Sequence, residues 1–112
     1  MLIVVSLFCP SQHLSPRPVR LMTGIHDIDI GRWLLSASDT PTPNRQVHRV
    51  FATGQNTRHP ELAERGDCDN GLGTVEFTNG KILTFHLSRT SMHGHDCFAE
   101  IFAENGKMII NG

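Results

Sequence analysis

Residues 74–88 read TVEFTNGKILTFHLS, two arms around a turn, and their register decides the fold. Val75 and Phe77 alternate with Thr74, Glu76 and Thr78, while Leu83, Phe85 and Leu87 alternate with Thr84, His86 and Ser88, the period of half-buried strands. A two-residue Asn79-Gly80 turn would pair Val75 with Thr84 and set Leu83, Phe85 and Leu87 on the face opposite Val75 and Phe77, splitting the core. A three-residue loop of Thr78, Asn79 and Gly80, with Gly80 left-handed in a bulge, pairs Val75 with Leu83 and gathers the apolar side chains on one face. The sequence therefore predicts the bulged hairpin, with Glu76, Thr84 and His86 on the other side.

Outward from this hairpin, FAEIFAE (98–104) and KMII (107–110) flank Asn105-Gly106 and predict a second antiparallel pair, whose register the weak alternation leaves open. VHRVFATG (47–54) reads as a strand, and NTRHPELAERGDCDN (56–70) as a loop with one helical turn over 60–64. In GIHDIDIGRWLL (24–35), Thr23 is a suitable N-cap and Asp27 and Asp29 lie in or near the first turn, where acidic groups complement the dipole. A helix is predicted there, ending in the proline-containing connection SASDTPTPNRQ (36–46). The fold class is α+β: an open, mostly antiparallel sheet with a helix packed on one face. Both faces of the sheet mix apolar and polar residues, so the second face is expected to meet a partner subunit.

The N-terminal run MLIVVSLF precedes SQHLSPRPVR (11–20). It lacks the basic start and the small-residue cleavage site of a secretory signal, and it is far shorter than the ~20 residues of a membrane helix. Residues 1–22 are read as a short hydrophobic strand or leader plus a proline-rich connector, outside a domain spanning 23–112. The 112-residue chain has room for one core. Ten basic and eleven acidic residues give a formal charge of -1, which builds in no attraction for nucleic acid or anionic lipid, and the lack of tyrosine weakens any base-stacking platform. Three cysteines at unrelated spacings suit reduced thiols and a cytoplasmic setting better than a disulfide framework.

Seven histidines invite acid/base or metal readings. In SMHGHDC (91–97), His93, His95 and Cys97 would share one side of a strand and could converge on an ion. Gly94 loosens that strand and no second half-site has ligand spacing, so a polar pocket wall is the stronger reading and no metal is assigned. His26 and Asp29 are three apart on the helix, where the carboxylate could fix one imidazole tautomer for acid/base work. Asp29 is equally placed to pair with Arg32. No dinucleotide fingerprint, P-loop or nucleophile elbow occurs.

Taken in order, GIHDIDIGRWLL, HRVFATG, GDCDNGLGTVEFTNGKILTFHLSRTSMHGHD and AEIFAENGKMIING resemble the C-terminal half of the Gfo/Idh/MocA oxidoreductases, in the inositol dehydrogenase-like branch. Members of that family join an NAD(P)-binding Rossmann domain to an α+β domain whose sheet supports the substrate site and subunit contacts, and they transfer hydride at a carbinol carbon of a sugar or polyol. The resemblance implies that His26 is the catalytic acid/base histidine and that Asp27 and Asp29 stand in the acidic positions that follow it. It places His93 and His95 where the family often has tyrosines in the substrate pocket wall, so Asp27, His93 and His95 are the implied substrate contacts. Two departures stand out. Met22 occupies the position of the family aspartate, and the family lysine has no counterpart, since only Lys81 and Lys107 are present. Only 25 residues precede His26, fewer than the ~30 of one βαβ unit. The implied chain is a substrate and assembly domain that binds no cofactor itself, with NAD or NADP belonging to a full-length relative. It is expected to be inactive alone, or else to be a non-catalytic module pairing with itself or with such relatives.

Overall fold

A computed structural model describes residues 2–8, 25–36, 47–90 and 96–111. Six strands, β1 (Leu2–Phe8), β2 (Val47–Gln55), β3 (Asn70–Phe77), β4 (Ile82–Ser88), β5 (Asp96–Ala103) and β6 (Gly106–Asn111), form one open sheet in the order β2-β3-β4-β1-β5-β6. Every neighbouring pair is antiparallel except β1 with β4. One helix, α1 (Ile25–Ser36), lies across β1 and β4 on one face. The architecture is the expected α+β sheet with a helix on one side.

The β3–β4 hairpin takes the register that its apolar alternation requires. Val75 pairs with Leu83, the Gly80 N–H donates to Phe77 O at 2.9 Å, and the Phe77 N–H donates to Lys81 O at 3.0 Å. Gly80 has φ 79°, a left-handed conformation that costs a side-chain-bearing residue about 1 kcal/mol. Val75, Phe77 and Leu83 are buried with Leu35 of the helix and Ile101 of β5, and Leu34, Phe85 and Ala99 pack around them. The second hairpin turns through Glu104 and Asn105, and its register pairs Ile101 with Met108.

Of the two readings of the N-terminal run, a short hydrophobic strand or a leader, Leu2–Phe8 takes the strand form: it is a central member of the sheet, pairing in parallel with β4 and antiparallel with β5 along its whole length. A run that is apolar at nearly every position suits a strand with neighbours on both sides and layers on both faces, rather than an alternating half-exposed one. Thr23 and the connections 9–24, 37–46 and 91–95 lie outside the described residues.

Between β2 and β3, residues 60–65 form a short 3-10 turn that buries Leu62 and is closed by Gly66 at φ 63°. This loop is fixed by Asp69, which has no exposed surface. Its carboxylate accepts from the backbone N–H groups of Thr57 (3.0 Å), Arg58 (2.7 Å) and His59 (2.9 Å) and from the Asn70 side-chain amide (2.7 Å). Asn56 returns the contact, its side-chain oxygen accepting from the Asp69 N–H at 2.9 Å. Burial pushes the Asp69 carboxyl upward, but the hydrogen bonds from Thr57, Arg58, His59 and Asn70 outweigh it and hold the group below the usual carboxylate range.

Candidate functional site

The direction of α1 follows from three contacts. At its C-terminal end, Lys81 Nζ donates to Leu35 O at 2.7 Å, filling a carbonyl that the helix itself leaves open. Gly31 sits on Leu83, so closely that a Cβ there would lie 2.7 and 2.9 Å from the two Leu83 methyl carbons. Ile28 lines a cavity of about 260 Å³ with Phe85 and Leu87 of β4 and with Gly54 and Cys68. The helix thus runs antiparallel to β4, and its first turn points to the end of the sheet where β4 finishes and β5 begins.

That end holds His26, Asp27 and Asp29 among the residues singled out by sequence. His26 and Asp29 are exposed on the outer side of α1, together with Ile25, Ile30 and Trp33. The inner side carries Ile28, Gly31, Leu34 and Leu35. Asp29 forms no ion pair with Arg32 among the described residues, which leaves it beside His26 on the open side. Asp27 is half-buried, and its Oδ2 is shut off from solvent with no hydrogen-bond partner. Burial raises the Asp27 carboxyl above its ordinary range, opposed in part by the adjacent His26 and by the residue's own backbone N–H. A carboxyl raised in this way keeps its proton to higher pH than an exposed aspartate does.

His93 and His95 fall in residues 91–95, outside the described residues. Of the described residues that flank them in sequence, Ser88 of β4 and Asp96 of β5 both pair with Phe8 of β1. Among the described residues no group of three or more His, Cys, Asp or Glu could hold a metal; Cys68 is buried and Cys97 half-buried. No helix of the described residues is long and apolar enough to cross a membrane.

Two charged residues at this end escaped the reading of the sequence. Asp69 is the hub described above; its signal lay in the Asx-rich ends of the loop, Asn56-Thr57 and Asp67 to Asn70, residue types that bond to nearby backbone. Arg89, just past β4, is buried with 6% of its surface exposed, and its backbone N–H donates to Asp69 O at 2.9 Å. No pattern in sequence marks an arginine after a strand as buried.

A family model described as the GFO/IDH/MocA C-terminal domain matches residues 19–109. The chain is 35% identical over 86 residues to the scyllo-inositol 2-dehydrogenase (NAD(+)) of Bacillus subtilis, an alignment covering 77% of this chain and 23% of that enzyme. It is 29% identical over 89 residues to inositol 2-dehydrogenase 2 of Saccharopolyspora erythraea, covering 80% and 23%. Among solved structures, a myo-inositol dehydrogenase from Corynebacterium glutamicum superimposes with a TM-score of 0.80 at 24% identity, over 99% of this chain and 32% of that one. The scyllo-inositol dehydrogenase of Lactobacillus casei with bound NAD(H) and scyllo-inositol gives 0.75 at 23% identity, over 97% and 33%. Coverage this complete takes in β1, so the strand is part of the shared fold. The chain spans about a quarter of the length of these curated relatives and about a third of the solved chains. By the extent of the family match, and with the sheet and helix that accompany it, the chain belongs to the GFO/IDH/MocA family through its C-terminal domain.

Proposed function

We propose that this chain provides the substrate-binding and assembly part of an NAD(P)-dependent oxidoreductase acting on a sugar or polyol, and that it is inactive without a dinucleotide-binding domain. The observation that carries this reading is the placement of His26: exposed, on the first turn of a helix clamped to the sheet, at the end where β4 finishes and β5 begins. There the imidazole can hold or release the proton of a reacting hydroxyl. Asp27, His93 and His95 supply polar contacts to the remaining hydroxyls, as hydrogen-bonding groups of this kind do in sugar sites. Ile25, Ile30 and Trp33, exposed beside His26, give an apolar surface for the domain that carries the nucleotide.

This reading is supported by the glycines of β2 and β3: a Cβ at Gly54 would meet the Cys68 sulfur and one at Gly73 the Phe85 ring, and Gly71 faces only the Cys68 sulfur at 3.8 Å, all within strands rather than in a loop opening a helix, where a pyrophosphate cradle is built. NAD or NADP therefore belongs to the partner domain, where it would accept or supply hydride. The direct test is to incubate the purified chain with NAD⁺ and scyllo-inositol and follow nicotinamide absorbance. No reduction is expected, and turnover by the chain alone would overturn the assignment.

A second role as an assembly module is favoured by the sheet face away from α1. It exposes Phe51, Leu72, Phe102 and Ile109 among charged and hydroxyl side chains, the mixture of apolar centre and polar contacts found where subunits meet. Light scattering should then report a dimer or a larger species.

A further inference from the structure

β2 is an edge of the sheet formed by the described residues, and it lacks the features that shield edges. One side of its backbone has no neighbouring strand, which makes a template for another chain unless charge, proline, a bulge or shortness blocks it. β2 runs for nine residues, Val47–Gln55, all of them exposed, without proline or lysine. Its bulge lies at one end, between Val47 and Arg49, and Arg49 is drawn onto the adjacent strand, its Nη2 donating to Glu76 Oε1 at 2.8 Å. At the middle, Val50 and Phe51 stand 59% and 63% exposed.

The order of sizes along the strand identifies the occupant. Val50 and Phe51 are large, and Ala52, Thr53 and Gly54 after them are small. Beside the small half, both faces of the sheet are hollow. On the helix side Ala52, Gly54 and Cys68 border the cavity already described, and on the other face Thr53, Gln55 and Leu72 border a groove of similar size, about 260 Å³. An antiparallel copy of the same strand reverses the order and brings large residues to small ones. With Ala52 facing its own copy, Val50 falls opposite Gly54 on the helix side and Phe51 opposite Thr53 on the other. An axis at Phe51 would set the two rings against each other, and an axis at Thr53 would carry Phe51 past the groove to Gln55. The other edge offers no such fit, because β6 is six residues long and carries Met108, Ile109 and Ile110 in succession with no run of small residues to receive them.

We infer that β2 binds a second copy of this chain, strand to strand and antiparallel, about a twofold axis through Ala52. The axis stands perpendicular to the sheet, so the sheet continues across both copies with both α1 helices on one side. This contact uses the edge of the sheet, whereas the assembly contact proposed above uses its face, and neither depends on the other. A nine-residue strand is about 30 Å long, and a contact ~10 Å deep covers roughly 300 Å² on each copy, well short of the ~800 Å² of a standard interface. The pair is therefore weak, carried by main-chain hydrogen bonds as in other strand additions.

Sedimentation velocity of the whole 112-residue chain, at up to about 500 µM, tests it. The wild type should associate as concentration rises. Ala52→Lys and Ala52→Glu each set like charges across the axis, and each should raise the dissociation constant about tenfold or more. An equimolar mixture of the two variants should recover the association, which also shows that both are folded. Ala52 is exposed on the helix side, so neither charge touches the opposite face. A wild type that stays monomeric at the highest concentration, a lysine variant that associates like the wild type, or a mixture no better than its components overturns the inference. In the second case the association belongs to the sheet face, and the proposed function stands.

Discussion

Two aspartates show how the same side chain acquires opposite pH behaviour from its surroundings. The Asp69 carboxyl is held low by the N–H groups of residues 57–59 and by Asn70 despite its burial, so it contributes stability above the ordinary carboxylate range that is lost as pH falls through its folded value. Replacing it by alanine leaves three backbone donors of the loop without their acceptor, and we expect Asp69→Ala to lose about 3 kcal/mol at neutral pH, with the difference from wild type shrinking in acid. Urea denaturation across pH measures both. For Asp27 burial wins and the carboxyl is raised; its protonated form is favoured by the fold, a contribution present at low pH and lost as pH rises through the folded value. Asp27→Asn should therefore be more stable than wild type at neutral pH, and the gain should vanish in acid. A neutral-pH loss in that variant would mean that the ionised carboxylate has a partner. Neither aspartate was legible in sequence at this level. Asp69 acts on residues ten to twelve positions away, and Asp27 reads as an ordinary first-turn acid until the buried Oδ2 is seen.

At the scale of elements, what could be read locally was read correctly. The bulged hairpin followed from alternation plus Asn79-Gly80, and the helix is borne out with Asp27 in its first turn, because each signal lies within a few residues of the structure it specifies. The seating of α1 was not legible, since it depends on Gly31 meeting Leu83 and on Lys81 reaching Leu35 across 46 residues of chain. Gly31 can be tested directly. Alanine is the better helix former by about 1 kcal/mol, yet its Cβ would press on the methyls of Leu83, a side chain with no exposed surface that cannot swing aside. Overpacking of this kind costs roughly 1–3 kcal/mol. We expect Gly31→Ala to be destabilised by about 1 kcal/mol in urea denaturation, with Trp33 fluorescence reporting a displaced helix. A stabilised variant would show that α1 rides free of β4.

The sheet as a whole shows where the N-terminal run is seated and what its second face offers a partner. A strand of nearly uniform apolar character has no period to announce it, and the prolines after it point away from the domain. Only the topology, which needs a member between β4 and β5, shows that Leu2–Phe8 belongs. Six strands at ~4.8 Å spacing and ~20 Å length present roughly 600 Å² of flat area. With side-chain relief that approaches the ~800 Å² per partner of a standard interface. On the face away from α1, the Arg49–Glu76 pair at 2.8 Å stands toward one edge and Lys107–Glu100 toward the other, with Lys107 also 5.0 Å from the Phe102 ring centre. Exposed pairs such as these add little to the monomer; in the proposed assembly they would orient a partner, with Phe51 and Ile109 supplying the apolar contact. We expect the double variant Phe51→Lys, Ile109→Lys to keep its circular dichroism and its melting temperature to within a few degrees, because both side chains are more than half exposed in the monomer, yet to sediment as a monomer where the wild type does not. If wild type and variant sediment alike, this face does not assemble the protein.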